Sequence, residues 1–398
     1  MLRIISIVTV LICVHAVPGP PPPGPGERPG GPPIFDTEGR LKQDGYYSET
    51  HDVVTSDGYI LEINRIPNPR YKRGPIQPKS KPVVFLMHGL QASAISYIFA
   101  GPNISLAYQL ADAGYDVWLG NSRGTVNSRR HIRLNPDDRN DKKEFFDYTF
   151  EDIAVKDLPT MIDYVLEVTK QPQLNYIGHS QGGTNFLVLN SLLPEYNRKF
   201  KSAHLLAGVG YQRHFPNIVL GGAAITTDLI HAFAVQIGLI EIFGPSPNAE
   251  VHCDESNKLS PECTLTQIKD TMQQIFGDVD IIAGASIKQY AHYGQNIRDR
   301  SFRRWNYYPI RNLMVYGSMA PPRYDLSLIT ADVTMHYTVG DALLHERDVL
   351  SMAEDMPNAK VRRIAREDFS HTDFVSAADA REQVLDYIVK RINEKNHK

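Results

Sequence analysis

Excess positive charge is absent: 42 Lys and Arg against 45 Asp and Glu give a formal net charge of -3. Nothing in that balance would hold a phosphate backbone, so nucleic acid is not an expected partner. Cysteine is scarce. Of three, Cys13 lies in the first stretch, which leaves Cys253 and Cys263. In an oxidising compartment that pair can close one small loop; two unpaired buried thiols are the alternative. Long apolar runs are missing too. The run from Ile4 to Val14 is interrupted only by Ser6 and Thr9 and falls short of the roughly 20 residues a spanning helix needs. The stretch Ile218 to Phe243 carries Asp228, His231, Gln236 and Glu241, which argues for amphipathic helices instead of a span in lipid. No zinc or calcium ligand spacing and no phosphate-binding glycine loop appear, so neither metal nor nucleotide is implied as a cofactor.

What is present is a globular composition, 42% hydrophobic and 22% charged, enough for one large α/β domain with an insertion. Arg3, the short apolar run and small residues ending at Ala16 describe a signal peptide over residues 1–16. A membrane anchor is the alternative. Residues 17–43 are rich in Pro and Gly and are expected to form a flexible solvated segment before the folded domain begins at Asp44. A hairpin is expected over Val53 to Ile63, because Ser56-Asp57-Gly58 separates two β-prone runs.

The continuously apolar run Val83 to Met87 suits a strand buried on both faces, with further strands at Asp116 to Leu119 and Leu174 to Gly178. Helical patterns over Leu106 to Ala113 and Ile153 to Thr169 alternate with them, which indicates a mostly parallel doubly wound sheet. From Gly208 the rhythm changes. Residues 208–312 read as a cap inserted into one core, whose two parts are residues 44–207 and 313–398. Within the second part, strands are expected at Met335 to Val339 and Ala359 to Ile364, and a closing helix at Arg381 to Ile392.

Gly178-His179-Ser180-Gln181-Gly182 has the form G-x-S-x-G between a buried strand and a helix-compatible run, Thr184 to Leu193. A sharp turn there would expose the Ser180 hydroxyl, and small residues at both ends let the backbone pass. An ordinary glycine-rich turn would share the pattern. A serine hydroxyl needs a general base, itself fixed by a carboxylate, and α/β-hydrolases order these as serine, acid, histidine. His371 lies in a loop-like stretch after an expected strand, where α/β sheets build their sites. Asp341 follows the Met335 to Val339 strand; an N-cap role is its bland alternative and Asp348 the second candidate acid. Two main-chain amides would stabilise an oxyanion: Gln181, after the nucleophile, and Leu90, in the Met87-His88-Gly89-Leu90 loop. Asn103-Ile104-Ser105 is a glycosylation acceptor triplet in a secretory context.

Together these segments resemble the acid lipase family, the group that includes the gastric and lysosomal acid lipases. The resemblance runs from about Gly45 to the C-terminal region. It rests on Asp57-Gly58-Tyr59-Ile60-Leu61, Leu86-Met87-His88-Gly89-Leu90, the block from Leu110 to Gly124, Gly178 to Gly182, and His371-Thr372-Asp373-Phe374. It implies an α/β-hydrolase fold with a helical cap and mobile lid, and Ser180, Asp341 and His371 as a catalytic triad. It also implies Leu90 and Gln181 as oxyanion donors and a neutral lipid at a lipid–water interface as substrate, in a secreted or lysosomal setting. The segment Gly340-Asp341-Ala342-Leu343-Leu344 is one residue shorter than the family's usual spacing around its acid.

Overall fold

The computed structural model describes residues 35–74, 81–244, 263 and 282–396. The expected signal peptide, the Pro-rich run and Cys253 lie outside the described residues.

Runs without a polar face become strands at the centre of a sheet. β3 (Val83–Met87), β4 (Asp116–Gly120), β6 (Leu174–His179) and β10 (Val333–Tyr337) are buried at every position. With β1 (Glu49–Val54), β2 (Tyr59–Ile66), β7 (Phe200–Leu206) and β11 (Ala359–Arg363) they order as β1-β2-β4-β3-β6-β7-β10-β11, and the short β5 (Arg130–His131) pairs with β2. β1 and β2 form the antiparallel hairpin, β2 meets β4 antiparallel, and every contact from β4 through β11 is parallel. β11 closes the sheet with Lys360, Arg362 and Arg363, charges that discourage a further strand from pairing at the edge. Helices Leu106–Asp112, Leu158–Thr169 and Gln181–Leu192 connect the parallel strands. The molecule therefore has the α/β-hydrolase fold with a mostly parallel central sheet.

Two expected boundaries shift. The flexible segment 17–43 does not extend to Asp44, because Thr37–Gln43 is a helix whose N-cap Asp36 accepts from the Gly39 amide at 2.8 Å and whose Leu41 is fully buried. Local capping and one core contact outweigh the neighbouring Pro and Gly. The expected restart of the core at 313 falls inside another helix, Pro309–Tyr316, and the next sheet strand is β10.

Between β7 and β10 the described insertion holds helices Ile218–Ala224 and Thr227–Gln236, the two-stranded pair β8 (Glu241–Ile242) and β9 (Ala285–Ser286), and helix Ile287–Arg298. The first two helices bend by 69° and pack on the Ile287–Arg298 helix. Among the described residues no single helix is long and apolar enough to cross a membrane; that bent pair passes the same test only when taken together.

Candidate active site

Ser180 sits between the last residue of β6 and the first turn of the Gln181–Leu192 helix, with φ 52° and ψ −113°. A non-glycine residue pays for positive φ with strain, and here the surrounding packing enforces it. A Cβ on Gly178 would come within 2.6 Å of the Gly182 main chain. One on Gly182 would overlap the Met87 carbonyl. The two glycines of the motif thus let strand, turn and helix lie against each other and against β3, which leaves the hydroxyl at the carboxyl edge of the sheet.

The structure brings the three expected side chains together. The Ser180 hydroxyl donates to His371 Nε2 at 2.8 Å, and His371 Nδ1–H donates to Asp341 Oδ2 at 2.7 Å. The second Asp341 oxygen accepts from the Leu343 and Leu344 amides at 2.7 and 3.0 Å, so the carboxylate is held from behind. The Asp341 loop is tied to the histidine loop, since Thr338 Oγ1 donates to the Phe369 carbonyl at 2.7 Å and a Cβ at Gly340 would crowd that same oxygen. The carboxylate is therefore held within reach of the ring. Asp348, the second candidate acid, instead accepts from the His214 amide and ring at 2.9 and 2.8 Å.

The Leu90 loop lies beside the hydroxyl. A Cβ on Gly89 would sit 3.2 Å from Ser180 Cβ and 3.6 Å from Oγ, so only a small residue lets this turn approach. Among the described residues neither the Leu90 nor the Gln181 amide donates to a main-chain acceptor, which leaves both N–H groups free for another oxygen. Gln91 holds the turn at φ 56°, its carbonyl accepting from the Ala283 amide at 2.7 Å and its side chain bonded to the Tyr290 hydroxyl. The insertion thus props the loop that carries Leu90.

His88 shapes the loop as expected. Its Nδ1–H donates to the Gly89 carbonyl at 2.7 Å, its Nε2 accepts from Ser122, and burial lowers its pKa to about 4, so the ring is neutral. His179 is a contributor that the sequence did not single out. Buried, with its pKa lowered to about 3 first by desolvation and then by the nearby His371, it donates from Nε2 to the His371 carbonyl at 2.8 Å. It links the turn at Ser180 to the loop of its base. No spacing signal could have found it, because that partner is 192 residues away.

The block from Leu110 to Gly124 serves the frame. Arg65 grips Asp116 through two 2.8 Å bonds, and Arg123 is buried between Asp57 and Asp157 with its guanidinium 3.9 Å over the Tyr59 ring. Asn121 Oδ1 takes the Ala94 amide at 2.8 Å. Asn103 is exposed on a turn. Cys263 is buried and disulfide-bonded, while Cys253 lies outside the described residues.

A strained serine, a histidine and a carboxylate in relay at the carboxyl edge of a parallel sheet define a serine hydrolase of the α/β-hydrolase fold. Residues 37–101 match the description of a partial alpha/beta-hydrolase lipase region, and residues 82–224 that of the alpha/beta hydrolase fold. The chain is 36% identical over 375 residues to Lipase 3 of Drosophila melanogaster, covering 90% of this chain and 93% of that one. It is 32% identical over 406 residues to the gastric triacylglycerol lipase of Homo sapiens, covering 99% and 98%. Lipase 1 of Drosophila melanogaster matches at 36% over 360 residues, 85% of this chain and 75% of the relative. The chain belongs to the acid lipase family, the family of the gastric lipases.

Proposed function

We propose that this protein hydrolyses the carboxylic ester bonds of neutral lipids, triacylglycerols or sterol esters, through an acyl-Ser180 intermediate. The observation that carries the reading is the unbroken relay from the Ser180 hydroxyl through His371 to Asp341. His371 Nε2 takes the hydroxyl proton as Oγ attacks the ester carbonyl, and Asp341 keeps the ring in the tautomer with Nε2 unprotonated and steadies the imidazolium that forms. The carbonyl oxygen, now an anion, is met by the free amides of Leu90 and Gln181. His371 then returns the proton to the leaving alcohol, water enters, and the same steps in reverse release the acid.

The cap, residues 208–312, supplies a lid, and its apolar helices offer lipid a matching surface when open. Export to the extracellular space or the lysosomal lumen follows from residues 1–16 acting as a signal peptide. Asn103 carries glycan in that setting, and Cys253 closes a disulfide with Cys263.

The test compares hydrolysis of emulsified triacylglycerol and sterol ester with that of a dissolved short-chain ester, in the wild type and in Ser180→Ala. Preference for the emulsion, lost entirely in the folded Ser180→Ala variant, is the expected result. Equal rates on both forms would make the protein a carboxylesterase of small soluble esters, and a wild type without turnover would make it a lipid-binding or storage protein.

A further inference from the structure

Helix Pro309–Tyr316 shows most of its apolar side chains to solvent. Of its eight residues only Asn312 is buried, and Ile310 and Met314 are 80% and 81% exposed, with Leu313 and Val315 more than half exposed. Tyr308 before it and Met319 after it are exposed as well. Soluble surfaces scatter large apolar side chains singly, and a contiguous group of this size marks a place meant to be covered.

The helix is not loosely attached. Asn312 Oδ1 accepts from the Tyr307 amide at 2.8 Å, and its Nδ2 donates to Asn306 and to the Met319 carbonyl at 2.8 and 3.0 Å. Gln295 continues that polar clamp, accepting from the Asn306 amide at 2.9 Å and donating to Asp228 at 2.8 Å. One buried asparagine therefore holds a ridge of apolar side chains outward, an arrangement that keeps the ridge presented in the free protein.

Charge tells what covers it. Residues 300–323 contain five arginines and no carboxylate. Arg303 and Arg304 are paired with Asp299 and Glu151. Arg300, Arg311 and Arg323 are exposed and have no carboxylate partner among the described residues. Arg311 lies 4.5 Å over the Tyr307 ring, and apolar side chains beside guanidinium groups without a carboxylate partner suit a lipid surface carrying negative charge. Ester hydrolysis at an oil droplet makes such a surface, because each turnover leaves a fatty acid there. The polar clamp also ties the ridge to the insertion: Gln295 bonds both the Asn306 amide and Asp228, whose helix and preceding turn expose Leu229 and Ile225.

We infer that the ridge around helix Pro309–Tyr316 is a fixed docking surface for an anionic lipid–water interface, separate from the lid helices and built to hold the enzyme on a surface already enriched in its product. The inference rests on the lipase reading of the Ser180 site.

The experiment measures co-sedimentation of the full chain with vesicles of phosphatidylcholine alone or of equimolar phosphatidylcholine and oleate, beside hydrolysis of a dissolved short-chain ester. Two large apolar side chains leaving lipid are worth about 100-fold in partitioning, so Ile310→Glu with Met314→Glu should lose about that factor on oleate vesicles and hydrolyse the dissolved ester at the wild-type rate. Arg311→Gln should lose about fivefold on oleate vesicles and nothing on phosphatidylcholine alone. Wild-type binding by the double variant overturns the inference. So does a wild-type dimer in sedimentation velocity that the double variant breaks, since the ridge would then be covered by a second copy. If the wild type hydrolyses neither the dissolved nor an emulsified ester but still needs the ridge for vesicles, the reading of Ser180 falls and the docking surface stands.

Discussion

The corner around Ser180 and the helices of the insertion use the same apolar residue types in opposite ways. At the corner, β3 and β6 are buried throughout, glycines bring main chains into direct contact, and polar side chains such as His88 and His179 are spent on loop carbonyls. In the insertion and just after it, Ile218, Ile225, Leu229, Ile310 and Met314 face water. The first region is built so that nothing moves at the reacting atoms, which is what preorganised charge stabilisation requires. The second keeps surface in reserve for something not yet bound.

Breaking the corner should cost most. Asp341→Asn removes the acceptor that sets the His371 tautomer, and kcat on any ester should fall about 10,000-fold with the fold retained by circular dichroism. A fall of less than tenfold would mean that another group orients the ring.

Glycine replacements sharpen the contrast. Gly182→Ala drives a methyl into the Met87 carbonyl and should cost on the order of 3 kcal/mol in urea unfolding. Gly221→Ala, in helix Ile218–Ala224, meets only Phe215 at 3.8 Å and should be neutral or stabilising by up to about 1 kcal/mol. Equal losses at the two sites would erase the distinction between a jammed corner and an open insertion.

Acid should also act on the corner. Burial keeps His88 and His179 neutral, with pKa values near 4 and 3 respectively. The unfolded chain takes up protons at these histidines below about pH 6.5 while the folded chain does not, so stability falls as pH drops from 6.5 toward those values, by about 2 kcal/mol or more. Urea midpoints at pH 7 and pH 4 measure it; an unchanged or higher midpoint at pH 4 would mean that other groups outweigh the pair.

The smallest effect belongs to the insertion. Ile225→Ser with Leu229→Ser should leave the unfolding midpoint and dissolved-ester rate unchanged and reduce the emulsified rate severalfold, because each exposed side chain contributes about 1 kcal/mol or more only once lipid covers it.

Much of this was legible in the sequence because local chemistry carried it. β3 spans the residues that its apolar run marked, and Ser180 follows its strand as the motif required. β7 went unread, since Lys201, Ser202 and His204 break its apolar run. Those polar groups are accepted in the sheet because Ser202 finds Asn175 at 2.8 Å and His204 finds His336 at 3.1 Å, partners fixed only by strand order. The prop beneath the Leu90 loop was hidden for the same reason: Tyr290 and Gln91 are 199 residues apart. The helix Pro309–Tyr316 begins with proline at its first position, a start that residue pattern allows. Its exposure was not readable, since the same apolar spacing would serve a buried face.

The most direct test of the whole account is covalent. A fluorophosphonate probe reacts only with a serine whose hydroxyl is already activated. The native protein should gain one adduct, located by peptide mass spectrometry on Ser180, and His371→Ala should not label. A native protein that stays unlabelled, or carries its adduct on a different serine, would contradict the account.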